Sequence, residues 1–142
     1  MSRIQHLEPI MRDVLKVRPG SYYLKLQVNP LAHQKMPGDF LFLTPKTNYI
    51  IECKECKGTS FAFTRYTQQI EMEKFSNALW NNRSFLVILF WKGTRKKSSF
   101  YCIEDWQMNI IMQKSKKKSV NEKDLIVYLN SYEELKTIKW LN

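Results

Sequence analysis

The chain reads as an α/β protein, with a mixed central β-sheet flanked by helices, and three observations support that reading. Residues 85–91, Phe-Leu-Val-Ile-Leu-Phe-Trp, are apolar at every position, as a strand covered on both faces must be. An apolar run from Tyr49 and a helical repeat over 67–82 come before it, so strand, helix and strand follow in the order of a crossover. Through Ile51-Glu52-Cys53-Lys54 polar and apolar side chains alternate, which gives that strand one polar face and one core face.

The elements follow in order. Ile4, Leu7, Ile10, Met11, Val14 and Leu15 recur near the helical period, which predicts an amphipathic helix over about 2–17. Pro9 falls in its first turn, and Arg18-Pro19-Gly20 stops it. A strand over 22–28 is ended by Asn29-Pro30, and a loop over 31–38 leads to Asp39 and a second strand over 40–43. The turn-rich segment 44–48 folds that strand back as a hairpin against a third, over 49–55. A short polar and aromatic link precedes the next helix, with Thr67 as its N-cap and Ile70, Met72, Phe75, Ala78 and Leu79 laid on the sheet. After the central strand come a basic turn at 93–97, a strand at 100–103, a lysine-rich stretch and a helical pattern around 132–140.

At 142 residues the chain fits one domain, 1–142, burying roughly two thirds of its unfolded surface. No tract is long or pure enough to span a bilayer and no secretory signal is visible, so the expectation is a soluble protein of the cytoplasm with no membrane partner. Cys53, Cys56 and Cys102 are an odd number in a domain that needs no staple, which argues against a disulfide framework. The Cys53-x-x-Cys56 spacing has no second pair, and Cys53 should face the core. With 23 basic against 13 acidic residues, a formal charge of +10, the expected partner is a polyanion, nucleic acid first.

Against that basic background, Pro37-Gly38-Asp39 is followed thirteen residues later by Glu52-Cys53-Lys54. The hairpin brings Asp39 near Glu52, and alternation turns Glu52 and Lys54 the same way. Phosphodiester hydrolysis needs an activated water, neutralised phosphate charge and a stabilised leaving oxygen, which a divalent metal on two carboxylates can serve. Asp39 and Glu52 are the metal ligands of choice, the Cys53 main-chain carbonyl is another, and hard oxygen donors favour Mg²⁺ or Mn²⁺. Lys54 orients or helps deprotonate the water and adds positive charge beside the phosphate. A plain surface ion pair is the competing reading of acid and lysine two apart on a strand.

These residues resemble the core motif of the PD-(D/E)xK nuclease superfamily, with a glycine inserted between proline and aspartate. Within it the chain is similar to RecU-type Holliday junction resolvases, through Glu52-Cys53-Lys54-Glu55, Thr59-Ser60-Phe61, Gln69-Ile70-Glu71, residues 85–88 and Phe100-Tyr101. The resemblance covers about 36–128. It implies a restriction-endonuclease-like core, cutting of branched DNA in recombination or repair, and a homodimer that nicks each strand once. It also implies that Gln69 supports the metal site or its water, with Gln68 and Glu73 as neighbouring alternatives and an exposed helix residue as the plain one. Glu8 corresponds to the acidic residue that many members place on the first helix as a further metal ligand; an ordinary first-turn glutamate is the alternative. RecU-type enzymes carry a long stalk insertion before the catalytic aspartate, whereas here only residues 29–38 separate it from the preceding strand. A smaller resolvase of the archaeal kind, a nuclease preferring flaps, nicks or single strands, and a non-cleaving DNA-binding module all remain compatible.

For phosphate contact, Lys35, Lys57 and Arg65 border the proposed face, and Arg95, Lys96, Lys97, Lys116 and Lys117 lie in basic segments that also read as solvated turns. His6 and His33 belong to no nucleophile pattern, and Trp80, Trp91, Trp106 and Trp140 read as core or dimer interface.

Overall fold

The computed structural model describes residues 5–16, 18–27 and 36–142. The expectations for Lys35 and His33 lie outside them. Helix α1 (Leu7–Leu15) opens the chain, followed by strands β1 (Tyr22–Lys25), β2 (Phe40–Leu43), β3 (Asn48–Cys56) and β4 (Ser60–Ala62). Then come α2 (Gln69–Ala78), β5 (Asn82–Phe90), β6 (Ser99–Glu104), α3 (Asp105–Lys114), β7 (Ser119–Asn121), β8 (Leu129–Asn130) and α4 (Tyr132–Lys136). Among the described residues six strands form one mixed sheet in the order β1-β2-β3-β5-β6-β8, in which β3 and β5 run parallel and the other neighbours antiparallel. β4 and β7 make a separate antiparallel pair.

Helices cover both faces because strand alternation divides the core in two. Ile51, Phe85, Val87 and Leu89 point to the side of α1 and α4, where they pack with Leu7, Ile10, Met11, Val14, Leu15 and Leu135. Ile50, Leu86, Ile88 and Phe90 point the other way, against Met72 of α2 and Met108 of α3. α1 buries positions spaced by three and four, as its sequence predicts. Pro9 sits in the first turn, where its missing N–H costs nothing. Among the described residues no helix is long and apolar enough to cross a membrane.

Several sequence expectations change. α2 starts at Gln69 with Gln68, not Thr67, at the N-cap, and the Thr67 hydroxyl instead bonds the Gln68 side chain at 3.1 Å. The helix stops at Ala78, and of the residues expected to lie on the sheet Ile70 and Leu79 are 67% and 56% exposed while Met72 is buried. α3 was not foreseen, because its apolar residues are scattered around the helix and only Asp105 and Met108 are buried. The helical tail is broken at Ile138, whose φ of 53° is left-handed and costly for a branched side chain, so a short 3-10 turn, Lys139–Leu141, follows α4. Of the tryptophans, Trp91 and Trp140 pack on the core whereas Trp80 and Trp106 are exposed.

The start of α1 is held from the sheet. His6 at the N-cap offers no side-chain cap, and the Glu55 carboxylate of β3 accepts both the His6 and the Leu7 main-chain N–H instead. The His6 ring lies edge-on to Trp91 at 3.8 Å between centroids. A carboxylate at this end also favours the helix dipole. Glu55→Ala is expected to lower stability by about 1–2 kcal/mol, read as a shifted denaturant midpoint with unchanged slope.

Candidate active site

Strand β2 pairs with β3 in a register that sets Phe40 against Ile51, so Asp39 comes beside the strand just before Glu52. The Asp39 N–H donates to the Ile51 carbonyl at 2.9 Å, and the Asp39 carbonyl accepts from the Leu26 N–H at 2.8 Å. The next β3 donor, the Cys53 N–H, is taken by Asp39 Oδ2 at 2.7 Å. In an extended strand a residue's N–H and C=O project to the same side, so the Cys53 carbonyl also faces the Asp39 side. Gly38 permits this approach: a Cβ there would stand 2.6 Å from the Ile50 side chain and 3.1 Å from the Ile51 carbonyl oxygen. The glycine between Pro37 and Asp39 is thus a packing requirement.

Glu52 is 2% exposed and shares a hydrogen bond with Asp39, and Lys54 Nζ lies 3.5 Å from Glu52 Oε2. The alternation in the sequence therefore sets acid and lysine on one face, as expected. Burial, then the hydrogen bond and charge of Asp39, push the Glu52 carboxyl up to about 9, and Lys54 only partly opposes them. Burial pushes Asp39 upward too, but hydrogen bonds from Glu52 and the Cys53 amide, with Lys25, outweigh it and hold Asp39 below its ordinary value. The two carboxyls therefore titrate as one pair, with Glu52 driven upward and Asp39 downward.

Glu8 joins this group. Lys25 Nζ, at the end of β1, stands 3.4 Å from Glu8 Oε1 and 3.4 Å from Asp39 Oδ1. Burial and the Asp39 charge raise the Glu8 carboxyl, and Lys25 opposes them. Among the described residues no three His, Cys, Asp or Glu side chains close into a ready metal cage. Two carboxylates and a main-chain carbonyl nevertheless fit a hard cation such as Mg²⁺, which takes one or two carboxylates and keeps several waters. Cys53 and Cys56 are free; Cys53 packs toward the α1 side and Cys56 toward the α2 side, so their sulfurs cannot share a metal.

A cleft of about 200 Å³ opens beside the pair, lined by Gln5, Leu7, Glu8, Cys53, Lys54, Glu55, Lys57 and Arg65. Of the expected phosphate contacts, Lys57 and Arg65 are thus at the site. Arg65 also lies over the Phe61 ring and donates to Cys56 Sγ at 3.5 Å. Lys116 and Lys117 are exposed, and pairing of β7 with β4, continued by the Phe63 N–H to the Lys118 carbonyl at 3.0 Å, sets their segment next to the Arg65 turn. Lys96 and Lys97 are exposed beyond the end of β5, the same end of the sheet as Lys57. Arg95 is committed within the fold, to Asp13 at 3.4 Å and the Tyr132 hydroxyl at 3.1 Å.

Gln69 stands in the first turn of α2, where its amide nitrogen donates to Asn109 of α3 rather than to the carboxyl pair. Asn109 in turn donates to the buried Asp105 at 3.4 Å, and Asp105 accepts the Tyr66 hydroxyl. Burial, the Asp105 carboxylate and the more distant Glu52 raise the Tyr66 hydroxyl, so it remains a donor. Gln68 is the N-cap of α2 and Glu73 is exposed. Lys25, Tyr66, Asp105 and Asn109 were not foreseen from sequence. The only signal for Lys25 is its place on an alternating strand, and nothing local says which strand it will pair with.

No family model matches the chain, and no curated protein matches it in sequence. In three dimensions it is similar to the solved structure of Archaeoglobus fulgidus Hjc, a Holliday junction resolvase from an archaeal hyperthermophile. The TM-score is 0.59 at 13% identity, over 90% of this chain and 98% of that one. The fold is therefore the restriction-endonuclease-like α/β core.

The raised Glu52 carboxyl has a thermodynamic consequence. A folded-state value above the unfolded one contributes stability fully present below about 4.5 and lost as pH rises through about 9. In EDTA the protein is expected to lose stability across that window, while Glu52→Gln, which keeps a donor toward Asp39 but has no proton to lose, flattens the slope. At pH 9 the variant should be the more stable by roughly 2 kcal/mol in denaturant titrations.

Proposed function

We propose that this chain is a metal-dependent endonuclease of the PD-(D/E)xK kind that cuts branched DNA, four-way junctions above all, in recombination or repair inside the cell. The observation that carries the reading is the hydrogen-bonded Asp39–Glu52 pair with Lys54 on the same strand face, beside a cleft walled by Lys57 and Arg65. The resolvase-like fold supports it.

Asp39, Glu52 and the Cys53 carbonyl would hold Mg²⁺ or Mn²⁺, with Glu8 at the margin, and the ion would supply Lewis-acid charge to the scissile phosphate. Lys54 donates to the attacking water, holds it in line and offsets charge gathering on the phosphate. Lys57 and Arg65 neutralise the phosphates on either side of the cut, and the exposed lysines 96, 97, 116 and 117 extend that basic end along the duplex. Gln69 is tied to Asn109 of α3 and takes no part in this scheme. Two copies in a homodimer deliver the two nicks that resolution of a junction needs.

Labelled four-way junction, flap and linear duplex, incubated with Mg²⁺ or with EDTA, test the reading. Symmetric paired nicks in the junction, lost in EDTA, are expected, together with a dimer mass by light scattering. Asp39→Asn should slow cutting by about a hundredfold or more while junction affinity changes by less than about threefold. Flap-only cutting would replace the resolvase assignment by a flap nuclease, and binding without cleavage in any divalent ion would sink the enzyme.

A further inference from the structure

Lys25 stands where a metal would have to come. Asp39 Oδ2 is committed to the Cys53 N–H at 2.7 Å, which leaves Oδ1 as the carboxylate oxygen for a cation, and Lys25 Nζ is 3.4 Å from that same atom. It is equally 3.4 Å from Glu8 Oε1, so one ammonium bridges two acids. Glu52 has its own cation in Lys54. Among the described residues, removing Lys25 would therefore leave Glu8 and Asp39 side by side with no ion pair of their own. Both distances are long for charge-assisted hydrogen bonds, the side chain is 24% exposed, and Lys25 is the last residue of the edge strand β1, packed over the Phe40 ring.

We propose that Lys25 is a built-in counter-ion that holds Glu8 and Asp39 together in the metal-free protein and is displaced from Asp39 Oδ1 when a divalent cation binds. The inference rests on the metal-site reading above. It makes Lys25 a positioning residue: it preserves the geometry of the acids without metal and sets how strongly the site takes metal, because two cations compete for one oxygen. A purely structural ion pair would stabilise the protein by the same amount with and without metal.

Direct binding of Mn²⁺ by calorimetry, without DNA, and thermal unfolding in EDTA and in saturating Mn²⁺ separate these cases. Lys25→Met is expected to melt below wild type in EDTA, to bind Mn²⁺ at least about tenfold more tightly, and to lose its melting deficit in saturating Mn²⁺. Lys25→Arg, which keeps the charge, should stay within about threefold of wild-type affinity. Equal or weaker Mn²⁺ binding by Lys25→Met, or a deficit of the same size in both conditions, overturns the inference while leaving the metal site standing. If neither wild type nor Lys25→Met binds Mn²⁺, the metal-site reading falls with it. Should Lys25→Met fail to fold in EDTA, recovery of native circular dichroism on refolding in Mn²⁺ supports the inference, and no recovery overturns it.

Discussion

The hydrogen bond from the Cys53 N–H to Asp39 is the constraint on which the rest of the site depends. β2 runs beside β3 only as far as Phe40, so the β3 donor beyond Ile51 would be left without a strand partner in a nearly buried place, at a cost of about 1–3 kcal/mol. Asp39 supplies that partner from its side chain. One carboxylate oxygen thus finishes a sheet edge, and the other is turned outward with its direction set by the first. The approach is tight enough that residue 38 has no room for a Cβ, which ties the glycine, the aspartate and the third strand into one packing unit.

The acids this unit gathers are a burden on the fold. Glu8, Asp39 and Glu52 converge in a part-buried place, and the carboxyls of Glu8 and Glu52 are both driven upward by desolvation and by Asp39. Two lysines from different strands and the hydrogen bond within the Asp39–Glu52 pair offset the repulsion. An apolar trio of similar volume would serve stability better, since buried ionic groups seldom repay their desolvation. Clustering of this kind, with carboxyls driven upward by burial and by one another, is what the proposed metal site would require.

β3 serves two purposes by alternation alone. One face carries Glu52 and Lys54, and the other carries Ile51, Cys53 and Glu55. Glu55 reaches the open end of α1 and so fixes the helix that bears Glu8, in the role its own N-cap residue does not fill. A single strand thereby positions acids on two elements and receives a third through the β2 hairpin. Parallel pairing with β5 brings Lys57 and the turn carrying Lys96 and Lys97 to the same end of the sheet, so the basic charge collects where β3 exits.

Much of this was written in local pattern. Period two gave the strands and the shared face of Glu52 and Lys54, period near 3.6 gave α1, and the turn chemistry of residues 44–48 was enough to bring Asp39 to Glu52, because these depend only on near neighbours in sequence. Where local pattern was weak or overruled, reading failed. α3 has no clean apolar stripe, Ile70 of α2 and Leu79 just beyond it turned to solvent while Met72 and Phe75 packed as their spacing suggested, and Ile138 broke the final helix. The composition of the chain determined its basic character, its layered α/β fold and the pair of acids with their lysine. Only the tertiary structure decided that Lys25 bridges Glu8 to Asp39, that Glu55 caps α1, that Gln69 answers to Asn109 and that Arg95 pairs with Asp13 and Tyr132. Each of these joins residues from different elements, and which surfaces meet is settled by packing of the whole sheet and its helices, which no short stretch of sequence specifies.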